Sequence, residues 1–139
     1  MKVPRGVLFP VVLAGCLGAT DPDVGPDLEF ELGEEDPIAQ QQSVEISSQG
    51  SSIIVTGRVW LPNMCYEITA ALTVPDSTHF RLDIDATGLL GPYAVCFDVS
   101  MSFPYVARFA ATRPGRYEVE VFHRIDGRTR IRVSKLLIL

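Results

Sequence analysis

Apolar and polar residues alternate one by one through most of the chain after residue 42. The alternation is clearest over residues 53–59, 66–74, 80–86 and 95–103, and further runs follow at 105–111, 116–123 and 129–139. Successive side chains of a β-strand point to opposite faces, so a period of two predicts strands with one buried and one exposed face. No stretch of a dozen residues has the apolar spacing of a helix. We therefore expect an all-β domain over residues 43–139.

Residues typical of tight turns separate these runs. They are Gly50, Pro62-Asn63, Pro75-Asp76, Gly91-Pro92, Pro114-Gly115 and Asp126-Gly127. Seven or eight short strands spaced at roughly 8–12 residues predict an antiparallel two-sheet sandwich of the immunoglobulin-like type, with a small β-barrel as the alternative. Residues 114–121, Pro-Gly-Arg-Tyr-Glu-Val-Glu-Val, resemble a strand of bacterial immunoglobulin-like and fibronectin-type modules. That resemblance implies the same sandwich.

The first sixteen residues carry the signals of export. Lys2 and Arg5 precede a short apolar run over residues 6–13, and the sequence Leu13-Ala14-Gly15-Cys16 closes the segment. This pattern resembles the lipobox of bacterial lipoproteins. The resemblance implies a signal peptide over residues 1–15, cleavage before Cys16 and attachment of acyl chains such as palmitate to its thiol. The alternative is a secreted protein with a chance cysteine at this position.

The residue after the cysteine bears on which membrane holds the protein. In Gram-negative lipoproteins an Asp at that position signals retention in the inner membrane, and here the position holds Leu17. The resemblance therefore implies an anchor in the outer membrane, on its periplasmic or surface face. Two or three acyl chains hold a protein stably on a membrane, whereas one chain holds it only marginally.

Residues 16–42 have the composition of a disordered acidic tether. They include no Lys or Arg, three prolines and eight acids, namely Asp21, Asp23, Asp27, Glu29, Glu31, Glu34, Glu35 and Asp36. Like charges repel and proline stiffens an unfolded chain, so we expect an extended spacer. An alternative for Phe30 and Leu32 is a short strand that docks on the domain.

Calcium is a second alternative for the tether, because Asp21, Asp23 and Asp27 are spaced as in some calcium loops. The full pattern needs a glycine at its sixth position and a glutamate at its twelfth, and here those positions hold Pro26 and Leu32. We expect no metal and no cofactor.

Residues 43–139 carry ten basic and nine acidic side chains, so most of the negative charge lies in the tether. A nearly neutral domain lacks the basic footprint that captures nucleic acid. Two cysteines remain after Cys16, and an exported protein keeps disulfides. We expect a Cys65–Cys96 bridge that contributes about 2–4 kcal/mol. Both cysteines have the polar parity of their runs, which places the bridge at a sheet margin or outer face.

The domain shows no motif for catalysis. We expect His79 on an exposed face and His123 at the margin of the core. Asp83 and Asp85 share one face of a strand, where they either form a metal or proton-sharing pair or lie beside Arg81 on a solvated face. No nucleophile-and-base pair, metal-ligand spacing or phosphate loop is visible, so we expect neither an enzyme nor a small-molecule substrate. Trp60 is expected at the core margin near the disulfide, with a binding aromatic as the alternative.

The C-terminal hairpin is the candidate interaction surface. We expect a three-residue loop over residues 125–127, followed by a register that pairs Val121 with Ile131 and Phe122 with Arg130. The outer face would then carry a basic patch, for an acidic partner or the tether, formed by Phe122, Arg124, Arg128, Arg130 and Arg132. The alternative is a solvated face whose charges protect a sheet edge.

These features predict a membrane-tethered, non-catalytic lipoprotein of the cell envelope that acts as a binding or structural module for an unknown protein partner. The alternative is a protease inhibitor or a chaperone-like accessory of the envelope. Neither the partner nor the oligomeric state follows from the sequence.

Overall fold

A computed structural model describes residues 26–35, 42–89, 95–96 and 99–139. The predicted lipidation site Cys16 and two aspartates of the possible calcium loop, Asp21 and Asp23, lie outside the described residues, whereas Asp27 lies within them. The described residues form eight strands: β1 (Glu29–Leu32), β2 (Ser43–Gln49), β3 (Ser52–Leu61), β4 (Tyr66–Asp76), β5 (His79–Gly88), β6 (Met101–Ala110), β7 (Arg116–Ile125) and β8 (Arg128–Ile138).

The strands build two four-stranded sheets. One sheet has the order β1-β6-β3-β2 and the other has the order β4-β5-β7-β8. The two sheets face each other over one apolar core and do not close into a barrel. The prediction of an all-β, two-sheet domain is confirmed, and the alternative of a small barrel is not.

The second sheet contains a parallel pair, so the expectation of purely antiparallel pairing is wrong there. Strands β5 and β7 run in the same direction, with Phe80 opposite Val119 and Ile84 opposite His123. Parallel neighbours need a long crossover connection. Here β6 makes the crossover through the other sheet. Alternation in a sequence reveals which side chains share a face but not the direction of the neighbouring strand, which is why the parallel pair could not be foreseen.

The acidic segment before the domain contributes a strand. Residues Glu29–Leu32 pair with β6, and the ring of Phe30 lies 5.7 Å from that of Tyr105. The expectation of a disordered tether therefore does not hold for these four residues, and the docked strand that was the alternative for Phe30 and Leu32 is present. The partly buried ring of Phe30 and the backbone hydrogen bonds to β6 offset the repulsion among the acids.

The core forms from the alternating apolar positions of both sheets, as the period of two predicts. Its fully or nearly fully buried aliphatic members are Ile46, Ile53, Val55, Val59, Leu61, Leu82, Ile84, Val119 and Val121. Aromatic rings join the sheets at one end, where the ring of Phe80 lies 5.2 Å from that of Phe109 and 5.4 Å from that of Tyr117.

The end of the predicted run 95–103 and most of the run 105–111 form one continuous strand. Strand β6 starts at Met101 and passes through Pro104, while the described residues between 95 and 100 lie outside any strand. Val95 is 91 % exposed, so its place in the alternation does not bury it. Proline removes one backbone donor but leaves the backbone extended, and it therefore does not end the strand.

Candidate binding site

The β7–β8 hairpin turns over two residues, not the three that we expected. Both turn residues have positive φ, 49° at Asp126 and 76° at Gly127, and Ile125 pairs with Arg128 across the turn. This is the geometry of a type I′ turn, whose twist matches that of the strands it connects. Glycine has no Cβ to clash at positive φ, and aspartate is among the side chains that tolerate it best.

A bulge next to the turn corrects the register. Arg124 pairs with Thr129, but His123 pairs with Ile131, so Arg130 is the extra residue. Without the bulge a two-residue turn would pair core positions of β7 with solvent positions of β8. The bulge instead puts Val133 opposite Val121.

The predicted pairing of Val121 with Ile131 is therefore wrong. Arg132, not Arg130, lies opposite Phe122. We had assigned the extra residue to the loop, whereas the chain places it one step into β8, at Arg130.

These corrections divide the predicted basic patch in two. Phe122, Arg124 and Arg132 lie on the outer face of the second sheet, whereas Arg128 and Arg130 line a cleft at the hairpin end of the sandwich. The cleft has a volume of about 790 Å³ and is open to solvent. Its lining residues are Gln42, Trp60, Pro62, Tyr66, Ile125, Asp126, Arg128 and Arg130.

The cleft forms where four parts of the chain come together. Strand β3 ends just past Trp60, β4 begins at Tyr66, the β7–β8 turn contributes Asp126, and Gln42 immediately precedes β2. Trp60 and Tyr66 are both half-buried. The binding role that was the alternative for Trp60 thus has a matching geometry.

Asp126 links the β7–β8 turn to β4 and β5 at the cleft. Its Oδ2 accepts a hydrogen bond of 3.1 Å from the hydroxyl of Tyr66, and its Oδ1 accepts one of 3.0 Å from the backbone N–H of Gly88. Burial, followed by the hydrogen bond to Asp126, raises the pKa of the Tyr66 hydroxyl, while the positive charge of Arg130 acts in the opposite direction. The tyrosine therefore stays a neutral donor, and the aspartate is engaged by two donors.

The two arginines of the cleft are not held by ion pairs within the described part of the chain. Arg128 and Arg130 are exposed, and neither forms an ion pair with any residue that the structure describes. Asp126 is the one acid among the lining residues, so the cleft carries an excess of positive charge.

The outer face of the second sheet is, in contrast, neutralised by ion pairs. Asp83 lies 3.1 Å from Nε of Arg81 and 2.9 Å from Nη2 of Arg124, and Nε of Arg124 lies 2.9 Å from Asp85. Asp83 is buried beneath these guanidinium groups. Of the two alternatives for Asp83 and Asp85, the structure shows the one with Arg81 beside them. Asp83 is, however, covered by the arginines and not solvated.

A second set of charges completes this face. Glu120 accepts a hydrogen bond of 2.6 Å from Arg132 and lies 2.9 Å from Nε2 of His79. The bond from Arg132 is the largest of the causes that lower the pKa of Glu120. The ring of Phe122 lies between two guanidinium groups, 4.3 Å from that of Arg81 and 5.4 Å from that of Arg132. Phe122, Arg124 and Arg132 are therefore engaged within the sheet.

The histidines also have partners. His79 is half-buried against Glu120, not exposed as we expected. His123 is fully buried, with Nε2 2.8 Å from the hydroxyl of Tyr105 and Nδ1 3.4 Å from Oε1 of Gln42. The expected place of His123 at the core margin is therefore wrong. Gln42 connects this buried pair to the cleft.

The predicted Cys65–Cys96 disulfide is present, with the two Cα atoms 6.0 Å apart. Cys65 immediately precedes β4, and Cys96 lies outside the strands. Both are half-buried. The bridge therefore lies at a sheet margin, which agrees with the polar parity of its cysteines. It fixes the chain directly beside Tyr66 of the cleft.

Sequence reasoning identified Trp60 and the two arginines but missed the rest of the cleft. Tyr66 begins the alternating run over residues 66–74 as one of its apolar positions, so the alternation predicts a core contact and no cleft. Gln42 gave no signal, because it belongs to a polar stretch at the end of the expected tether.

The part of the chain that the structure describes contains no group of three side chains suited to hold a metal ion. Nor do these residues form a helix with the length and apolar character needed to cross a bilayer. Comparison with protein-family models, curated proteins and solved structures finds no match to this chain.

Proposed function

We propose that this chain is an exported, lipid-anchored binding module of the cell envelope without catalytic activity. The single structural observation that carries the proposed export of the chain is the disulfide between Cys65 and Cys96. Disulfides persist in oxidising compartments and are rare in the cytosol, so the bridge supports export. The lipobox-like sequence that ends in Cys16 supports a lipid anchor, and Leu17 supports the outer membrane as the site of attachment.

Binding is favoured over catalysis because of how the polar side chains are used. Both histidines are engaged by neighbours, His79 by Glu120 and His123 by Tyr105. A general base must be within reach of the proton that it removes, and a fully buried imidazole has no access to a substrate. The open cleft at the hairpin end, in contrast, presents aromatic and cationic groups to solvent. A compact sandwich of the immunoglobulin-like kind would serve here as a rigid support for that end.

The anchor is tested with the full chain expressed in a Gram-negative host that is fed an alkyne-labelled palmitate. We expect the parent to incorporate the label and to fractionate with the outer membrane. Cys16→Ser should lose both properties, because the acylated thiol is absent. Cys65→Ser is the matched control and should keep the label. Label that persists in Cys16→Ser, or a parent without label, would contradict the proposal.

A chaperone-like role remains the second candidate, and a specific feature of the sheet favours it. Strand β4 is an edge of the second sheet with 11 residues and no Lys or Arg, whereas the opposite edge, β8, carries four such residues. Charged side chains, lysine above all, protect edges from pairing. Between the acids Glu67 and Asp76, residues 68–74 of β4 carry no charge, so β4 is the edge better suited to accept an extended segment of another protein.

The test of this role places a lysine on β4. Ala71→Lys should abolish any suppression of client aggregation, and Thr87→Lys, on the paired strand β5, is the control. If the parent does not suppress the aggregation of a reduced, unfolding client, the chaperone-like role is excluded.

A further inference from the structure

We propose that the cleft lined by Trp60, Tyr66, Arg128 and Arg130 binds a ligand that carries carboxylate groups on an apolar body. The proposal rests on the binding function proposed above and names the chemistry of its ligand. Such carboxylates have two sources, a small free dicarboxylate or the acidic side chains of a peptide, and the experiment below separates them.

The cationic side chains of the cleft are available for a ligand. Neither Arg128 nor Arg130 forms an ion pair with a described residue. The remaining charge in the cleft, the carboxylate of Asp126, already accepts bonds from Tyr66 and Gly88. Guanidinium groups bind carboxylates through paired hydrogen bonds with a planar geometry. Two such groups on one short stretch of β8 therefore suit a ligand with more than one carboxylate.

The aromatic residues supply the apolar part of the site. Trp60 and Tyr66 are half-buried and line the cleft, so part of each side chain is exposed to a ligand there. Pro62 and Ile125 extend this apolar lining. A volume of about 790 Å³ lies within the range of about 300–1,000 Å³ that is usual for ligand sites. A purely ionic ligand would leave these surfaces in contact with water.

The site is held rigid by the fold around it. The type I′ turn at Asp126 and Gly127 fixes the path of the chain, and the bulge at Arg130 sets the direction in which β8 leaves the turn. The Asp126 carboxylate ties this turn to the start of β4 through Tyr66. A site ordered before binding loses less conformational freedom on binding.

The charge of the cleft favours an anion, and its apolar lining favours a carboxylate on an apolar body over inorganic phosphate. With Arg128 and Arg130 against Asp126, the lining has an excess of one positive charge. Inorganic phosphate has no apolar part, so it would leave the surfaces of Trp60 and Tyr66 in contact with water. Two arginines are also far fewer than the phosphate contacts that a nucleic-acid surface makes.

Trp60 provides the measurement, because it is the single tryptophan of the chain. The full chain, purified in detergent, is titrated with suberate, with poly-L-glutamate and with inorganic phosphate while its fluorescence is recorded. We expect a saturable change with suberate or poly-L-glutamate that weakens as salt is added, since the arginines are exposed and screened. A response to poly-L-glutamate alone identifies a peptide ligand, and a response to suberate alone identifies a small one.

Two variants test the residues. Arg128→Gln with Arg130→Gln should weaken binding at least tenfold, while the matched pair Arg113→Gln with Arg116→Gln, exposed arginines at the opposite end, should leave the affinity unchanged. Unchanged thermal unfolding of both variants shows that the fold is kept. No saturable response, equal binding by the cleft variant, or tighter binding of phosphate than of both carboxylates would overturn the proposal. The titration does not depend on the anchor, so its failure is distinct from loss of lipid labelling.

Discussion

The hydroxyl of Tyr105, on β6, lies 2.8 Å from Nε2 of His123, on β7, between the two sheets and away from solvent. Burial lowers the pKa of the His123 imidazole to about 4 and raises that of the Tyr105 hydroxyl. Both side chains are therefore neutral at pH 7. The tyrosine donates to Nε2, and Nδ1–H of the histidine donates to Gln42 at 3.4 Å.

This pair predicts a loss of stability in mild acid. The unfolded chain binds a proton at His123 near pH 6.5, whereas the folded chain does so only near pH 4. The free energy of unfolding is therefore not reduced by His123 above pH 6.5, and it decreases as the pH falls from 6.5 toward 4, because the unfolded chain takes up the proton first. At about 1.4 kcal/mol per pKa unit, the free energy of unfolding should decrease by about 3 kcal/mol over this range. Urea denaturation at a series of pH values measures it.

The control removes both partners. Tyr105→Phe alone should destabilise the protein by about 1–3 kcal/mol at pH 7, because Nε2 of His123 is then buried without a donor. Adding His123→Leu should recover part of that loss and flatten the pH profile between 6.5 and 4. An equally steep profile in the double variant would assign the pH dependence to carboxylates instead. Asp76 and Glu120 have lowered pKa values, so their own contributions decrease mainly below this window.

Gly57 is the residue that makes room for Tyr105. It lies opposite Tyr105 on β3, and a Cβ at this position would stand 2.6 Å from the tyrosine hydroxyl and 2.5 Å from the carbonyl oxygen of Ser43. Because backbone lies on one side and a buried ring on the other, neither can move easily. We expect Gly57→Ala to destabilise the protein by about 1–3 kcal/mol, as overpacking does. Gly88→Ala, whose Cβ would meet nothing closer than 3.6 Å, is the control in thermal unfolding.

The fold was largely predictable because most of its strands bury one face and expose the other, and such strands have alternating apolar and polar residues. The places where prediction failed depend on the partner strand. Nothing local to Phe80 or Val119 reveals that their strands run parallel. The bulge at Arg130 also escaped, because a loop of three residues satisfies the same alternation as a turn of two followed by a bulge.

The candidate site was only partly predictable for a related reason. In the sequence, Arg128, Arg130 and Arg132 are three alternating arginines that look alike. Only the position of the bulge shows that Arg128 and Arg130 line the cleft whereas Arg132 lies on the outer face. Asp83 and Glu120 have polar parity, yet arginine side chains bury them. The position of a residue in the alternation tells which face of the sheet its side chain is on, but not whether long side chains of neighbouring strands cover it.

The disulfide joins residues 31 apart and should stabilise the folded state by restricting the unfolded chain. A loop of this length corresponds to about 3–4 kcal/mol in the chain-entropy account. We expect Cys65→Ser with Cys96→Ser to lower the free energy of unfolding by that order in urea. Thiol labelling of the unreduced parent should find neither Cys65 nor Cys96 free. Full labelling of both in an oxidised preparation would contradict the pairing.

The last prediction concerns three carboxylates that form ion pairs and differ in burial, Asp83 and Asp85 on the outer face of the second sheet and Glu31 on β1 of the first. The side chain of Asp83 is 9 % exposed and lies between Arg81 and Arg124, that of Asp85 is 33 % exposed, and that of Glu31, 3.7 Å from Arg108, is 73 % exposed. Removing the charge of a covered acid leaves its arginines close together with less water to screen them, whereas an exposed pair contributes little.

We therefore expect a graded series in the free energy of unfolding. Asp83→Asn should lower it by about 2 kcal/mol, which is below the loss for a fully buried pair because Arg81 and Arg124 keep part of their hydration. Asp85→Asn should lower it by less than about 1 kcal/mol, and Glu31→Gln should leave it nearly unchanged. Added salt should shrink the smaller effects more than that of Asp83, since water and ions reach the exposed pairs. Equal losses at all three positions would show that burial does not set the strength of these pairs.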